Sequence, residues 1–303
     1  GATNGWIPIE DDTVTDAPTK NNMEGIFGYG YTGSQTAVTN LVSSAGVVGS
    51  DVTGVGTARS ELAATEYGND KAIFGFGNSG SLTAVTNLVS NAGVVGTDVT
   101  GVGTARYSLG ACSYGDDKGI FGFGYSSPSR LSLTNLVSNA GVVATDTTGV
   151  GTARMDIGAT EYGGDKGIFG FGNDGSKVSI TNLVSNVGVV ATDQAATTGT
   201  ARAYAGACGY GEDKAIFGFG NDGSDVSMTN LVSNTGVVAT DVTGVGTARH
   251  APGACEYGGD KGIFGYGSGF SAVTNLVSNT GVMATDTTGV GTARAYAGAC
   301  SFN

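Results

Sequence analysis

Apolar positions along this chain fall in short runs closed off by Gly, Asn, Asp or Ser, and no stretch carries a helical period. The runs recur. Ile-Phe-Gly-aromatic-Gly begins at Ile26, Ile73, Ile120, Ile168, Ile216 and Ile263, a spacing of 47 or 48 residues. Each copy leads into Thr-Asn-Leu-Val-Ser, then an aspartate (Asp51, Asp98, Asp146, Asp193, Asp241, Asp286). Thr-Ala-Arg follows (Arg59, Arg106, Arg154, Arg202, Arg249, Arg294). The pattern predicts four strands per unit, in the second unit A at Leu62–Tyr67, B at Lys71–Gly77, C at about Ala84–Ser90 and D at about Val94–Thr97. Tyr-Gly-Asn-Asp and Ser-Asn-Ala-Gly supply the A–B and C–D turns, because these residues tolerate positive φ.

One such sheet cannot bury both faces alone, whereas copies packed around a ring bury them against each other. The expected fold is therefore all-β, a six-bladed β-propeller of four-stranded blades over residues 22–303. Residues 1–21 are an N-terminal extension, either a docking peptide or a linker. The first Ile-Phe-Gly lacks its own strand A, while the chain runs nine residues past Arg294 to Asn303. Ala295–Phe302 is expected to complete blade one and to remove an exposed sheet edge.

Composition narrows the chemistry. The 303 residues include 55 Gly and carry a net charge of −12, which disfavours binding to nucleic acid or to anionic membranes. No apolar run is long enough to span a bilayer, and Gly1–Asn4 shows no basic or apolar leader segment, so no membrane insertion and no signal peptide are expected. Cys112, Cys208, Cys255 and Cys300 occupy one repeat position, where Thr65 and Thr160 stand in two other copies. Ring symmetry holds such positions apart, so buried free thiols are expected rather than disulfides, in keeping with synthesis in a cytoplasm. The six Asp and six Arg read as an inter-strand clasp, with a ring of calcium or anion sites as the alternative.

The unit resembles a kelch repeat. Arg, small residues and Tyr-Gly-x-Asp-Lys-Ala-Ile-Phe-Gly-Phe-Gly are similar to the kelch run into its glycine doublet, and Val-Thr-Asn-Leu-Val-Ser is similar to its third strand. The second doublet glycine is displaced here, and Val or Met stands where kelch repeats carry Trp. The resemblance implies a propeller and no particular activity. The repeats also resemble uncharacterised repeats in tail and other structural proteins of marine bacteriophages. Asp12–Asn22 is similar to the Asp-x-Pro-Thr-x-Asn stretch that precedes domains in those proteins. This second resemblance implies a virion or extracellular setting after assembly in a host cytoplasm. The partner it implies is a host-surface glycan or protein, or another virion protein.

No enzyme is expected. A kelch-type copper oxidase needs two His ligands and the chain has one, His250. No nucleophile elbow accompanies it, and Asn-Asp-Gly-Ser at 173–176 and 221–224 lacks the aromatic end of a sialidase Asp-box. Neither a metal nor any other cofactor is implied.

Copies differ in the B–C connection and in the residues just after Arg, and alternating strand direction puts both on one face. That face is expected to hold Tyr31, Tyr107, Tyr125, Arg130, Asp156, Tyr204, His250, Phe270 and Tyr296, with Asp174 and Asp222. Aromatic and polar loop residues suit recognition. Trp6, Ile7 and Ile9 form the docking peptide, which offers a route to oligomerisation. The leading expectation is a non-enzymatic recognition module. A glycan-binding lectin comes second, and a sialidase-like or oxidase-like enzyme third.

Overall fold

A computed structural model describes residues 23–194 and 199–302, and the expected docking peptide lies outside them. The chain is all-β. Six small antiparallel sheets follow one another, the first made of β1 (Glu24–Tyr31), β2 (Gln35–Val42) and β20 (Gly298–Phe302). The second holds β3 (Ala63–Tyr67), β4 (Lys71–Gly75) and β5 (Thr86–Val89), and the third holds β6 (Gly110–Tyr114), β7 (Lys118–Gly122) and β10 (Thr134–Val137). The fourth comprises β11 (Gly158–Tyr162), β12 (Lys166–Gly170) and β13 (Thr181–Val184). The last two are β14 (Gly206–Tyr210), β15 (Lys214–Gly218), β16 (Thr229–Val232) and β17 (Gly253–Tyr257), β18 (Lys261–Gly265), β19 (Thr274–Val277). A two-stranded ribbon, β8 (Tyr125–Ser126) with β9 (Ser129–Arg130), decorates the third unit.

Each sheet has three strands where the pattern predicts four. The segment expected as strand D touches strand C only through isolated bridges, such as Val89–Val95 and Thr86–Val99. Between these bridges strand C advances three residues and the outer segment four, so one extra residue bulges out. The buried side chain of Asn87 fills the gap, donating from Nδ2 to Gly96 O (3.0 Å) and to Asp98 Oδ1 (2.9 Å). The other five copies repeat this pairing. Strand B also ends early, at Gly75, because Phe76 and Gly77 turn into the left-handed region (φ 63° and 109°).

Strand β20 pairs with β1 from Glu24–Phe302 to Gly28–Gly298, so the C-terminal strand completes the first sheet. Contacts between sheets run in a cycle. Strands β3, β6, β11, β14, β17 and β20 each contact the next, and β20 contacts β3. Aromatic pairs follow the same cycle, from Tyr29–Phe74 and Phe76–Phe121 round to Tyr266–Phe27, with ring centroids 5.1–5.4 Å apart. This explains the glycine of Ile-Phe-Gly. A Cβ on Gly75 would lie 2.7 Å from the tip of the Phe121 ring, so any larger residue would drive the neighbouring sheet away.

The Arg and Asp of each repeat fasten adjacent units. Fully buried Arg106 lies over the Phe76 ring of the preceding sheet, 4.2 Å from its centroid. Its Nε donates to Phe123 O (2.8 Å), its Nη1 to Thr104 O (3.1 Å) and its Nη2 to Asn135 Oδ1 (2.7 Å). Asp146 accepts from the backbone N–H and the hydroxyl of Thr104 in the preceding unit, and from Asn135. Burial opposes ionisation of Asp146, but these hydrogen bonds and the Arg106 charge outweigh it and hold the carboxyl below its usual range. The same clasp links Thr292 of the last unit to Asp51 of the first.

Candidate functional site

The residues two places after each Arg come together. Glu61, Ser108, Asp156, Tyr204, Ala251 and Tyr296 all adopt positive φ, between 51° and 58°, a conformation that costs a non-glycine residue about 1–2 kcal/mol. In this conformation they form a closed circle of backbone hydrogen bonds. Ser108 N–H donates to Glu61 O, Asp156 to Ser108, Tyr204 to Asp156, Ala251 to Tyr204, Tyr296 to Ala251 and Glu61 to Tyr296, with lengths of 2.7–3.3 Å. The side chains of these residues and of their C-terminal neighbours line one cavity of about 90 Å³. A narrower cavity of about 40 Å³ runs between the first strands of the sheets, lined by the four cysteines together with Glu66, Glu161 and Glu256.

The wider cavity is acidic and aromatic. Asp156 is 4% exposed, and neither of its carboxylate oxygens makes a hydrogen bond of ordinary length, although the Ser108 and Tyr204 hydroxyls lie close enough to act on it. Burial pushes its pKa up to about 6, with hydrogen-bonding contributions from the nearby Ser108 and Tyr204 and attraction to Arg130 opposing, while Glu61 adds to the rise. Glu61 is half-buried and accepts from the Ser108 hydroxyl at 2.9 Å, and burial raises its carboxyl as well. Tyr204, Tyr296 and His250 form a triangle of rings with centroids 5.3–5.9 Å apart. His250 Nδ1 donates to Asp225 Oδ1 (2.8 Å), and its Nε2 meets the Tyr296 hydroxyl at 3.1 Å. Asp225 is held in turn by Ser268 (2.6 Å) and Asn221 (2.9 Å). His250 thus fixes the Tyr296 ring at the cavity wall.

The nine residues expected on one face separate into groups. Asp156, Tyr204, Tyr296 and His250 come together at the cavity. Tyr107 packs against Tyr125 with tilted rings (5.5 Å) beside it, close enough for Glu61 and Asp156 to raise the Tyr107 hydroxyl pKa after burial itself. Arg130 donates to Asn173 (3.2 Å) at the end of the β8–β9 ribbon. Tyr31 and Phe270 pair with each other at 6.0 Å and do not line the cavity. Asp174 and Asp222 are exposed turn residues. Glu61, Ser108, Asp225 and Ser268 were missing from the expected set. Glu61 and Ser108 lie in the variable segment just after Arg and share the repeat position of Asp156, but nothing in the sequence distinguishes Asp225.

The four cysteines are buried and form no disulfide among the described residues, and burial raises the thiols of Cys208, Cys255 and Cys300. Among the described residues no group of three or more His, Cys, Asp or Glu is arranged to hold a metal ion. No protein-family model and no curated protein matches the chain.

Asp156 makes a stability prediction. A carboxyl whose pKa rises from about 3.8 to about 6 on folding favours the fold below pH 3.8 and loses that contribution as pH climbs through 6. Asp156→Asn keeps the shape and removes the buried charge. It should stabilise the protein at pH 8 by on the order of 2–3 kcal/mol, and by much less at pH 4. Urea midpoints at the two pH values check this. An equal difference at both would show that the ionised carboxylate carries no such cost.

Proposed function

We propose that residues 22–303 form a six-bladed β-propeller whose sixth blade meets the first, and that it is a non-enzymatic recognition module. The cyclic sheet contacts and the circle of six backbone hydrogen bonds support the propeller reading. One observation carries the function. The repeated Arg and Asp are committed to clasps between sheets, whereas the residues two and three places after each Arg, which change from copy to copy, converge on one cavity with its own carboxylates and rings. A purely architectural disc gains nothing from a poorly bonded buried carboxylate, which is costly to keep. Such costs are instead found at binding sites.

On the likeness of its repeats to those of phage structural proteins, the partner we propose is a host-surface glycan or protein, or another virion protein. The test is a glycan and peptide array probed with the full chain and with a Tyr107/Tyr204/Tyr296→Ala variant of matched thermal stability. Ligands held by the natural chain and at least tenfold weaker in the variant are the expected result. Equal binding by both would move recognition away from this cavity, and no binding by either would leave an architectural role.

A further inference from the structure

We propose that the wider cavity takes a protonated amine, a ligand class that rests on the recognition reading above and makes it specific. The reasoning starts from unused hydrogen-bonding capacity. Both Asp156 oxygens are buried without a hydrogen bond of ordinary length, with the Ser108 and Tyr204 hydroxyls close by, and Glu61, which lines the same cavity, receives one bond from Ser108. Buried acceptors of this kind are nearly always satisfied in a working protein, so the missing donors are those of a ligand. An alkylammonium group supplies three N–H donors from one atom, enough for Asp156 and Glu61 together. It also supplies the positive charge that relieves the repulsion between the buried Asp156 and the half-buried Glu61.

The remaining walls fit the same ligand. Tyr204 and Tyr296 line the cavity with ring centroids 5.8 Å apart, and aromatic faces attract a cation that has left water. His250 and Asp225 hold Tyr296 in place. Leu62, Leu109, Ile157 and Pro252 form an apolar floor for a short alkyl stem. Arg130, the positive group that bears on Asp156, makes no hydrogen bond to either oxygen and donates to Asn173 instead.

Other ligand classes fit less well. An anion meets two carboxylates. A divalent cation wants about six oxygens, and the described residues offer no group of three or more acidic, His or Cys ligands arranged for one. A neutral sugar can donate hydroxyls but leaves the buried charge uncompensated.

The full chain would be titrated by calorimetry with n-butylammonium chloride at pH 8 and constant ionic strength, with butan-1-ol and sodium butanoate as matched neutral and anionic probes. Saturable binding of the ammonium, absent for the alcohol and the carboxylate, is expected. Asp156→Asn and Glu61→Gln should each weaken it at least tenfold while keeping a cooperative unfolding transition. Two further probes separate the sources of the amine, Nα-acetyl-lysine methylamide for a side chain and glycine methylamide for a chain terminus. Tighter binding of one names the source. No saturation by any of the three amines, or unchanged affinity in both variants, would overturn the proposal. If the amines fail while the array yields a ligand lost in the tyrosine variant, the amine inference falls and the recognition reading stands. Failure of both removes both.

Discussion

Deleting residues 295–303 is expected to abolish cooperative folding of the monomer. The deletion removes β20, which covers one whole side of β1 from Glu24 to Gly28. Phe302, Ile26 and Phe27 are all fully buried around that pairing. Burying one such side chain is worth about 1.5–3 kcal/mol, so the sum approaches the roughly 5–15 kcal/mol that holds a typical domain together. The loss extends beyond packing. Ala295 bridges Tyr31, Tyr296 supplies two of the six bonds in the backbone circle, and β20 is the link through which β17 reaches β3. The uncovered β1 edge would also present unpaired N–H and C=O groups to other chains, a route to aggregation. Light scattering and circular dichroism during thermal unfolding measure the outcome, and adding the 295–303 peptide in trans should restore part of the transition. A truncated chain that stays monomeric with an unchanged melting temperature would show that the ends do not hold the six sheets together.

The second large effect is expected at the arginine clasp. Arg106→Met should cost about 3–5 kcal/mol, because it leaves Phe123 O, Thr104 O and Asn135 Oδ1 without a buried donor and Phe76 without its cation. Burial has already lowered the Arg106 pKa to about 10, so the guanidinium remains charged near neutrality. Arg106→Lys should recover little. An ammonium is a point charge, and it cannot reach three acceptors set around a planar fork. Urea denaturation of the two variants decides the matter. A loss below about 1 kcal/mol in Arg106→Met, or full recovery in Arg106→Lys, would mean that ring packing alone joins the units.

The asymmetry between Asp156 and the six repeat aspartates shows where function parts from stability. Asp146 and its equivalents gain donors when the units assemble, and their carboxyls stay below the usual range. Asp156 loses more by burial than the nearby Ser108 and Tyr204 hydroxyls return, and its pKa rises to about 6. The same side chain thus serves as a clasp at one position and as a waiting acceptor at another. Only the surroundings differ.

The all-β class, the six copies, strands A to C and the pairing of the C-terminal strand with the first sheet are legible in the amino-acid order alone. These follow from local chemistry and from counting. Alternation and turn residues define strands, and a spacing of 47–48 residues defines the copies. Three matters belonged to the tertiary structure. The Asn87 side chain replaces part of a fourth strand, a choice made only when a buried amide competes with the backbone for Gly96 O. The face expected from loop variability divides, with Tyr31 and Phe270 apart from the cavity, because sequence separation does not encode which loop ends lean inward. Glu61, Asp156 and Tyr296, spread over 235 residues, meet only because each sheet packs on the next and β20 on β3. Their burial, and with it the raised carboxyls and the missing donors, is a property of that convergence and of no single repeat.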